Sequence, residues 1–203
     1  METKVYQSND YKKIVEDLLK GEVVGFPTET VYGLAIVYNS KEAFDKIYQI
    51  KQRSITKPIS AMVANKEVLK NIAVVDKRAS QVVDNLMPGS ITVILPAKDN
   101  LLEHVTFNLN TIGVRIPTNE TALRILSEIN IPLLVTSANI SNEPSLLKAK
   151  DVYTKFNGKI ASLIDEDAIN GVASTVVDLT KKPIKILREG PISKERIEEV
   201  LGE

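Results

Sequence analysis

Short apolar runs alternate with helix-like segments along the whole chain, and this alternation limits the fold more than any other feature. The runs that read as buried strands are 23–26, 34–37, 59–64, 91–95, 111–116, 131–135, 161–164, 175–179 and 184–187. Segments with apolar residues at helical spacing separate many of them. Strands separated by helices tend to be parallel, and tightly joined strands tend to be antiparallel. The pattern therefore predicts an α/β sandwich around a mixed sheet, as one domain over residues 1–203.

Capping residues indicate where the helices begin. Ser8 or Asn9 is the predicted N-cap of the first helix, and Ser40 that of the second. The second helix then carries Lys51 and Arg53 at or just beyond its C-terminus. Further helices are predicted over 76–87, from 118 or 119 through 126, over 149–156 and from 193 onward.

The composition is that of an ordinary globular protein without a global charge. Of the 203 residues, 43% are hydrophobic, and 26 basic residues balance 26 acidic ones. The balance gives no basic field for nucleic acid or a membrane surface. The absence of cysteine excludes disulfides and thiolate chemistry and fits a reducing compartment. The N-terminus has no signal-peptide core, and no eighteen apolar residues run together, so we expect a cytoplasmic protein without a membrane partner.

Hydroxyl and basic side chains recur where the predicted strands end. The segment 26–35, FPTETVYGLA, places Thr28, Glu29 and Thr30 between two apolar runs, and we interpret Thr28 and Glu29 as turn-forming residues. Groups of the same kind elsewhere are Lys51, Arg53, Lys57, Thr111, Arg115, Ser137, Asn139, Ser174 and Arg188. Taken singly, each has a structural interpretation, for example Lys51 as a solvated helix end and Arg115 as an edge residue. Together they predict a cleft for phosphates and a small zwitterion.

Several common catalytic motifs are missing from the chain. There is no GxxxxGK[ST] loop and no GxGxxG, so neither a P-loop nor a dinucleotide-binding fold is indicated. The only histidine, His104, has no serine elbow or HExxH pattern near it. We therefore interpret His104 as a surface residue. The remaining inventory of hydroxyl and basic groups requires no acid/base pair.

Six ordered segments give the chain a family resemblance. FPTETVYGLA, KQRSITKPIS, TIGVRIP, TSANIS, ASTVVD and ILREG resemble the YrdC/TsaC family of L-threonylcarbamoyladenylate synthases, from about Gly21 to Pro191. The family makes threonylcarbamoyl-AMP and pyrophosphate from L-threonine, bicarbonate and ATP, for the modification of tRNA. The resemblance implies a single-domain YrdC-like fold, a twisted mixed sheet flanked by helices with a basic concave cleft. It also implies the short form, without the extra C-terminal domain of longer relatives.

The same resemblance implies roles for individual residues. Thr30, Arg115, Ser174 and the backbone near Val135 look like contacts to L-threonine. Arg53, Lys57, Thr111, Ser137, Ser145 and Arg188 look like contacts to ATP. Lys51 and Arg53 are the expected catalytic groups, as phosphate neutralisers. Mg²⁺ is expected with the triphosphate, without metal ligands from the protein. The expected downstream partner is the complex that transfers the threonylcarbamoyl group to tRNA.

Three positions depart from the residues that are usual in the family's motifs. Ser54 and Asn142 replace a usual proline and a usual glycine, and Glu189 places a carboxylate beside Arg188. The first change removes a rigid residue, the second keeps a side chain that tolerates left-handed backbone, and the third puts the Arg188 contact to ATP in question.

The alternative function is a non-catalytic relative that binds tRNA or double-stranded RNA weakly. The balanced charge disfavours it.

Overall fold

The computed structural model describes residues 2–202, in which one sheet carries every assigned strand. The strands are β1 (Lys4–Tyr6), β2 (Val24–Phe26), β3 (Gly33–Val37), β4 (Ser60–Met62), β5 (Ile91–Pro96), β6 (Thr111–Arg115), β7 (Leu133–Ser137), β8 (Ser162–Ile164), β9 (Thr175–Asp178) and β10 (Lys185–Arg188). The helices are α1 (Tyr11–Leu19), α2 (Lys41–Lys51), α3 (Lys66–Ile72), α4 (Lys77–Leu86), α5 (Glu103–Thr106), α6 (Glu120–Ile129), α7 (Ala149–Phe156) and α8 (Lys194–Leu201).

The sheet is mixed, as the sequence predicted. Its strand order is β1-β8-β2-β3-β7-β4-β6-β5-β9-β10. The pairs β1/β8, β8/β2, β4/β6 and β5/β9 are parallel, and the other neighbours are antiparallel. The prediction of a mixed sheet with flanking helices is therefore confirmed.

The two faces of the sheet are covered unequally. One face packs against α2, α4, α7 and α8 in the larger hydrophobic core, which includes Ile91, Val93, Ile112, Val114 and Val177. The other face packs against α1 and α6 in a smaller core, which includes Ala35, Val37 and Leu133. Because side chains alternate between the faces of a strand, the second face must also carry Thr92, Thr111 and Arg115. The smaller core does not reach these residues, so part of this face is open.

One strand prediction needed correction. The strand predicted over 131–135 is instead Leu133–Ser137. Pro132 precedes it and has no N–H for a ladder, whereas Thr136 and Ser137, predicted as loop, pair with Leu34 and Gly33. The sequence interpretation also missed β1, α3 and α5, which are short elements of 3, 7 and 4 residues.

The helix caps agree with the sequence in one case and differ in another. Ser40 Oγ accepts the Ala43 N–H at 3.1 Å, so this cap is confirmed. The first prediction was wrong, because Ser8 opens a short 3-10 turn and its hydroxyl donates to Glu166 at 2.6 Å. Asp10 is the N-cap of α1, without a side-chain cap bond.

Candidate functional site

The open half of the second sheet face forms the floor of a cavity of about 490 Å³. Alternate residues of three strands face it: Thr92 and Ile94 of β5; Thr111, Gly113 and Arg115 of β6; Val176 and Asp178 of β9, with Ser174 just before that strand. Their neighbours in sequence point into the larger core. The cavity thus has a floor with hydroxyls and a cation, backed by a rigid apolar layer.

Arg115 marks one end of the cavity and is held from two sides. Its Nη1 donates to Thr30 Oγ1 at 2.9 Å, and its Nη2 donates to Glu29 Oε1 at 2.5 Å. Arg115 and Glu29 are 7% and 6% exposed, so this is a buried ion pair. Arg115 Nε and Glu29 Oε2 are buried without a partner in residues 2–202. Each terminal nitrogen of a guanidinium carries two N–H groups, so Nη1 and Nη2 each keep one for a ligand.

Thr28 shapes the turn that brings Thr30 to Arg115. The Thr28 hydroxyl donates to the Val31 carbonyl at 2.7 Å and accepts the Thr30 N–H at 3.1 Å. It also lies 2.9 Å from Thr30 Oγ1. The predicted turn-forming role of Thr28 is confirmed by these bonds. Glu29, predicted to have the same role, instead holds Arg115.

Arg188 and Ser174 form a second polar group on the floor. Arg188 Nε donates to the Ser174 carbonyl at 2.9 Å, and Arg188 Nη2 donates to Ser174 Oγ at 3.0 Å. Burial lowers the pKa of the Arg188 guanidinium, and the positive charges of Arg115 and Arg53 lower it further. Glu189, whose carboxylate put this arginine's role in question, is not one of its hydrogen-bond partners in the described residues. The Arg188 side chain stays at the cavity.

Arg53 lies on the rim opposite the floor. Its Nε donates to the Lys57 carbonyl at 2.9 Å, and its Nη2 donates to the Pro58 carbonyl at 2.8 Å. These bonds fold residues 53–58 back over the end of α2. Arg53, Arg115 and Arg188 thus bring three positive charges to a cavity whose single carboxylate, in the described residues, is that of Asp178.

Lys51 differs most from its predicted surroundings. It is 1% exposed, and its Nζ donates to the Ser137 carbonyl at 2.5 Å, to the Asn139 carbonyl at 2.7 Å and to Asn139 Oδ1 at 3.1 Å. The interpretation as a solvated helix end is therefore wrong. Lys51 lies behind the cavity wall and fastens the 137–139 segment, whose Ser137 side chain lines the cavity.

The Lys51 amine gives a pH dependence of stability that can be measured. Burial, with the charge of Arg53 as a smaller contribution, lowers the pKa of Lys51 to about 7. An unfolded chain keeps this proton to about pH 10, so above pH 7 the unfolded state binds more protons and stability rises with pH. Relative to Lys51→Met, the wild type should gain about 2 kcal/mol of unfolding free energy between about pH 6 and about pH 9. Urea unfolding at both pH values tests this, and parallel curves would contradict it.

The cavity collects eight of the eleven predicted site residues. Those that line it are Thr30, Arg53, Thr111, Arg115, Val135, Ser137, Ser174 and Arg188. Lys51, Lys57 and Ser145 do not line it. Lys57 is exposed, with its Nζ 3.3 Å from Asn142 Oδ1, and Ser145 lies in the half-exposed segment after it. Sequence reasoning missed Thr92, Asp178 and Glu29, although the period-two alternation in 91–95 would have placed Thr92 on the floor.

Two smaller predictions, on His104 and Asn142, can also be compared with the structure. His104 is half-buried: its Nε2 lies 2.9 Å from the Tyr38 carbonyl and its ring meets Phe44 edge-on at 5.2 Å. The ring is therefore partly packed against α2 and partly exposed. Asn142 has a φ of 71°, which confirms that this asparagine adopts the left-handed backbone expected of it. Gly190 is needed, because a Cβ there would lie 2.4 Å from Thr175 N.

The donor set does not fit a resident metal. Among residues 2–202, no three side chains of histidine, cysteine, aspartate or glutamate come together to hold an ion. Asp178 Oδ1 already accepts two hydrogen bonds from Thr180, at 2.9 Å from the backbone N–H and 2.6 Å from the hydroxyl.

Within residues 2–202, no helix has the length and hydropathy needed to cross a bilayer.

Comparison with known proteins gives consistent matches over most of the chain. Residues 16–190 match the Sua5/YciO/YrdC family model, which is described as "Telomere recombination". A threonylcarbamoyl-AMP synthase of Pyrococcus abyssi (strain GE5 / Orsay) is 37% identical over 186 residues, covering 91% of this chain and 55% of that protein. One of Bacillus subtilis (strain 168) is 37% identical over 188 residues, covering 91% and 54%. The chain spans about half the length of these relatives.

A solved structure agrees closely with the fold. The crystal structure of P. abyssi Sua5 complexed with L-threonine superimposes with a TM-score of 0.93 at 33% sequence identity. The match covers 100% of this chain and 62% of that one. With the family model matched over 16–190 as well, the chain belongs to the Sua5/YciO/YrdC family.

Proposed function

We propose that this chain is an L-threonylcarbamoyladenylate synthase, a nucleotidyltransferase that converts L-threonine, bicarbonate and ATP into threonylcarbamoyl-AMP and pyrophosphate. Two relatives named threonylcarbamoyl-AMP synthase and a Sua5 structure with L-threonine support the proposal. The expected location is the cytoplasm, where ATP and tRNA are present. The product would pass to the complex that modifies tRNA.

The observation that carries the proposal is the position of Arg115. Its guanidinium lies at the end of a cavity, is fixed by Glu29 and Thr30, and has N–H groups left over. A fixed guanidinium binds a carboxylate through two parallel hydrogen bonds. An amino-acid carboxylate would satisfy these donors.

The proposed reaction needs positioning more than acid or base catalysis. The threonine amine combines with bicarbonate, releasing water, to give a carbamate. A carbamate oxygen then attacks the α-phosphorus of ATP, a new P–O bond forms, and the bond to the β-phosphate oxygen breaks to release pyrophosphate. No side chain becomes covalently bound. The protein would hold the two reactants in line and place positive charge at the phosphates.

Arg53 and Arg188 would supply the phosphate charge in this scheme. Both guanidiniums are fixed by backbone carbonyls, and both keep N–H groups for the nucleotide. Thr111 and Ser137, on either side of the cavity, would add hydroxyl contacts to ATP. Lys57 and Ser145 remain proposed ATP contacts that would have to approach from the rim. Lys51 would act indirectly, by fastening the 137–139 segment.

Magnesium fits this proposal only as part of the substrate. The cavity offers three arginines and one carboxylate, which is a poor donor set for a protein-held divalent cation. We therefore expect Mg²⁺ to enter with the triphosphate, held by phosphate oxygens and water.

The test is pyrophosphate release by the purified protein with Mg²⁺, ATP, L-threonine and bicarbonate. We expect release only when both threonine and bicarbonate are present. Omission of each component in turn is the internal control, because simple ATP hydrolysis would not depend on threonine. Release that is equal without threonine, or no release, would contradict the proposal.

The RNA-binding alternative makes a different prediction. Phosphate-backbone binding weakens steeply with salt, because counterions are released on binding. The arginines at this cavity are few and point into a concave site, so we expect no salt-sensitive binding of double-stranded RNA. A gel-shift titration at two salt concentrations measures it.

A further inference from the structure

A buried pair of hydroxyls lies on the cavity floor between the proposed amino-acid and nucleotide contacts. Thr92 Oγ1 and Ser174 Oγ are 2.9 Å apart, and the residues are 3% exposed each. Thr92 lies on β5, and Ser174 directly precedes β9, the strand that pairs with β5. Ser174 is the hydrogen-bond partner of the Thr92 side chain within residues 2–202. Both hydroxyls border the cavity.

The direction of the hydrogen bonds at Ser174 follows from the donors around it. Arg188 Nη2 lies 3.0 Å from Ser174 Oγ, and a guanidinium can only donate. Ser174 Oγ therefore accepts this bond with one of its two lone pairs. If Thr92 also donates, both lone pairs are occupied, and the Ser174 proton is free for a ligand. If Thr92 is absent, the serine hydroxyl can rotate and that preference is lost.

We propose that Thr92 is a positioning residue that directs the Ser174 hydroxyl proton into the cavity, toward an anionic oxygen of the amino acid or its carbamate. The inference rests on the proposed function. Thr92 contributes through Ser174 rather than by contact with the substrate. Arg188 shares the same serine oxygen, so the hydroxyl pair also joins the amino-acid contact to the nucleotide contact.

The first test is Thr92→Val, which keeps the side-chain shape and removes the hydroxyl. Threonine affinity, measured by calorimetry without nucleotide, should fall about tenfold, as expected for one lost hydrogen bond. Thr92→Ser restores the hydroxyl and should recover most of the affinity. A smaller loss is expected for ATP, because the Ser174 carbonyl still holds Arg188. A residue with only a structural role would not give this rescue and this split between substrates.

A double mutant separates indirect from direct action. In a Ser174→Ala background, Thr92→Val should cause no further loss of threonine affinity, because the group that it orients is already gone. Thr121→Val is the matched control: Thr121 is also buried and donates one hydrogen bond, to Glu166 at 2.6 Å, on α6 away from the cavity. It should lower the urea midpoint without changing threonine affinity.

Each outcome decides for or against the inference. Unchanged threonine affinity in Thr92→Val, or losses that add in the double mutant, would overturn it. The inference would also be overturned if Thr121→Val and Thr92→Val were equally stable and lost the same amount of threonine affinity. If the wild type shows no threonine-dependent pyrophosphate release, the proposed function is wrong instead. The threonine affinities of the variants can still be compared, because calorimetry measures them without any reaction. The two failures are therefore distinguishable.

Discussion

Replacing both Arg115 and Glu29 by methionine is expected to give a folded protein that no longer binds L-threonine. The single change Arg115→Met should lower the unfolding free energy by about 3–5 kcal/mol, because it leaves the Glu29 carboxylate buried without its partner. The double change removes the buried pair altogether, and apolar side chains of similar volume often stabilise as well as the ion pair did. Stability should therefore return in the double mutant.

Binding should not return with stability, because the carboxylate site has gone with the guanidinium. A bidentate charged contact contributes about 1.5–3 kcal/mol per hydrogen bond, so the threonine affinity should fall at least a hundredfold in both variants. Calorimetry gives the affinity, and urea unfolding gives the stability of the same samples. A double mutant that binds threonine like the wild type would show that Arg115 only maintains the fold.

Replacement of Arg188 by methionine should damage ATP use far more than threonine binding. Loss of one charge-assisted contact to phosphate would raise the KM for ATP about tenfold to a hundredfold. Burial lowers the pKa of Arg188, and repulsion by Arg115 and Arg53 lowers it further. The free protein should therefore lose little stability, whereas ATP should raise the melting temperature of the wild type more than that of the variant.

Arg124→Met is the matched control for that experiment. Arg124 lies on α6 and pairs with Glu120 on the surface, so its loss removes a positive charge without touching the cavity. Steady-state kinetics with varied ATP should be unchanged in this variant. If Arg124→Met and Arg188→Met raise the KM equally, the effect comes from net charge and the proposed role of Arg188 is wrong.

Local patterns were enough to predict most strands and the mixed sheet, but not the contacts that bury charge. The apolar run 91–95 predicted β5 correctly. Its single threonine, Thr92, could be assigned to the cavity only once the positions of the neighbouring strands were known. Lys51 at a helix end normally reaches solvent, and only the 137–139 segment, brought over it by β7, makes its burial possible. Such partners are distant in sequence, so the spacing of residues along the chain does not predict them.

The same limit applies to Glu29. It follows a strand in a polar turn, which by itself indicates turn formation. Its partner Arg115 lies 86 positions later, on a strand that the sheet order places several strands away from β2. The ordered segments from 26–35 to 186–190 could be linked to one site through family resemblance. The ion pair inside that site could be seen only in three dimensions.

The most direct test of the central claim is the fate of the bicarbonate carbon. The purified protein is incubated with ATP, Mg²⁺, L-threonine and ¹³C-labelled bicarbonate, and the nucleotide products are separated and weighed by mass spectrometry. We expect a threonylcarbamoyl-AMP species that is one mass unit heavier than the product from unlabelled bicarbonate, and that is absent from the Arg115 and Glu29 double mutant. AMP or ADP as the sole new nucleotide, with no labelled adduct, would contradict the account.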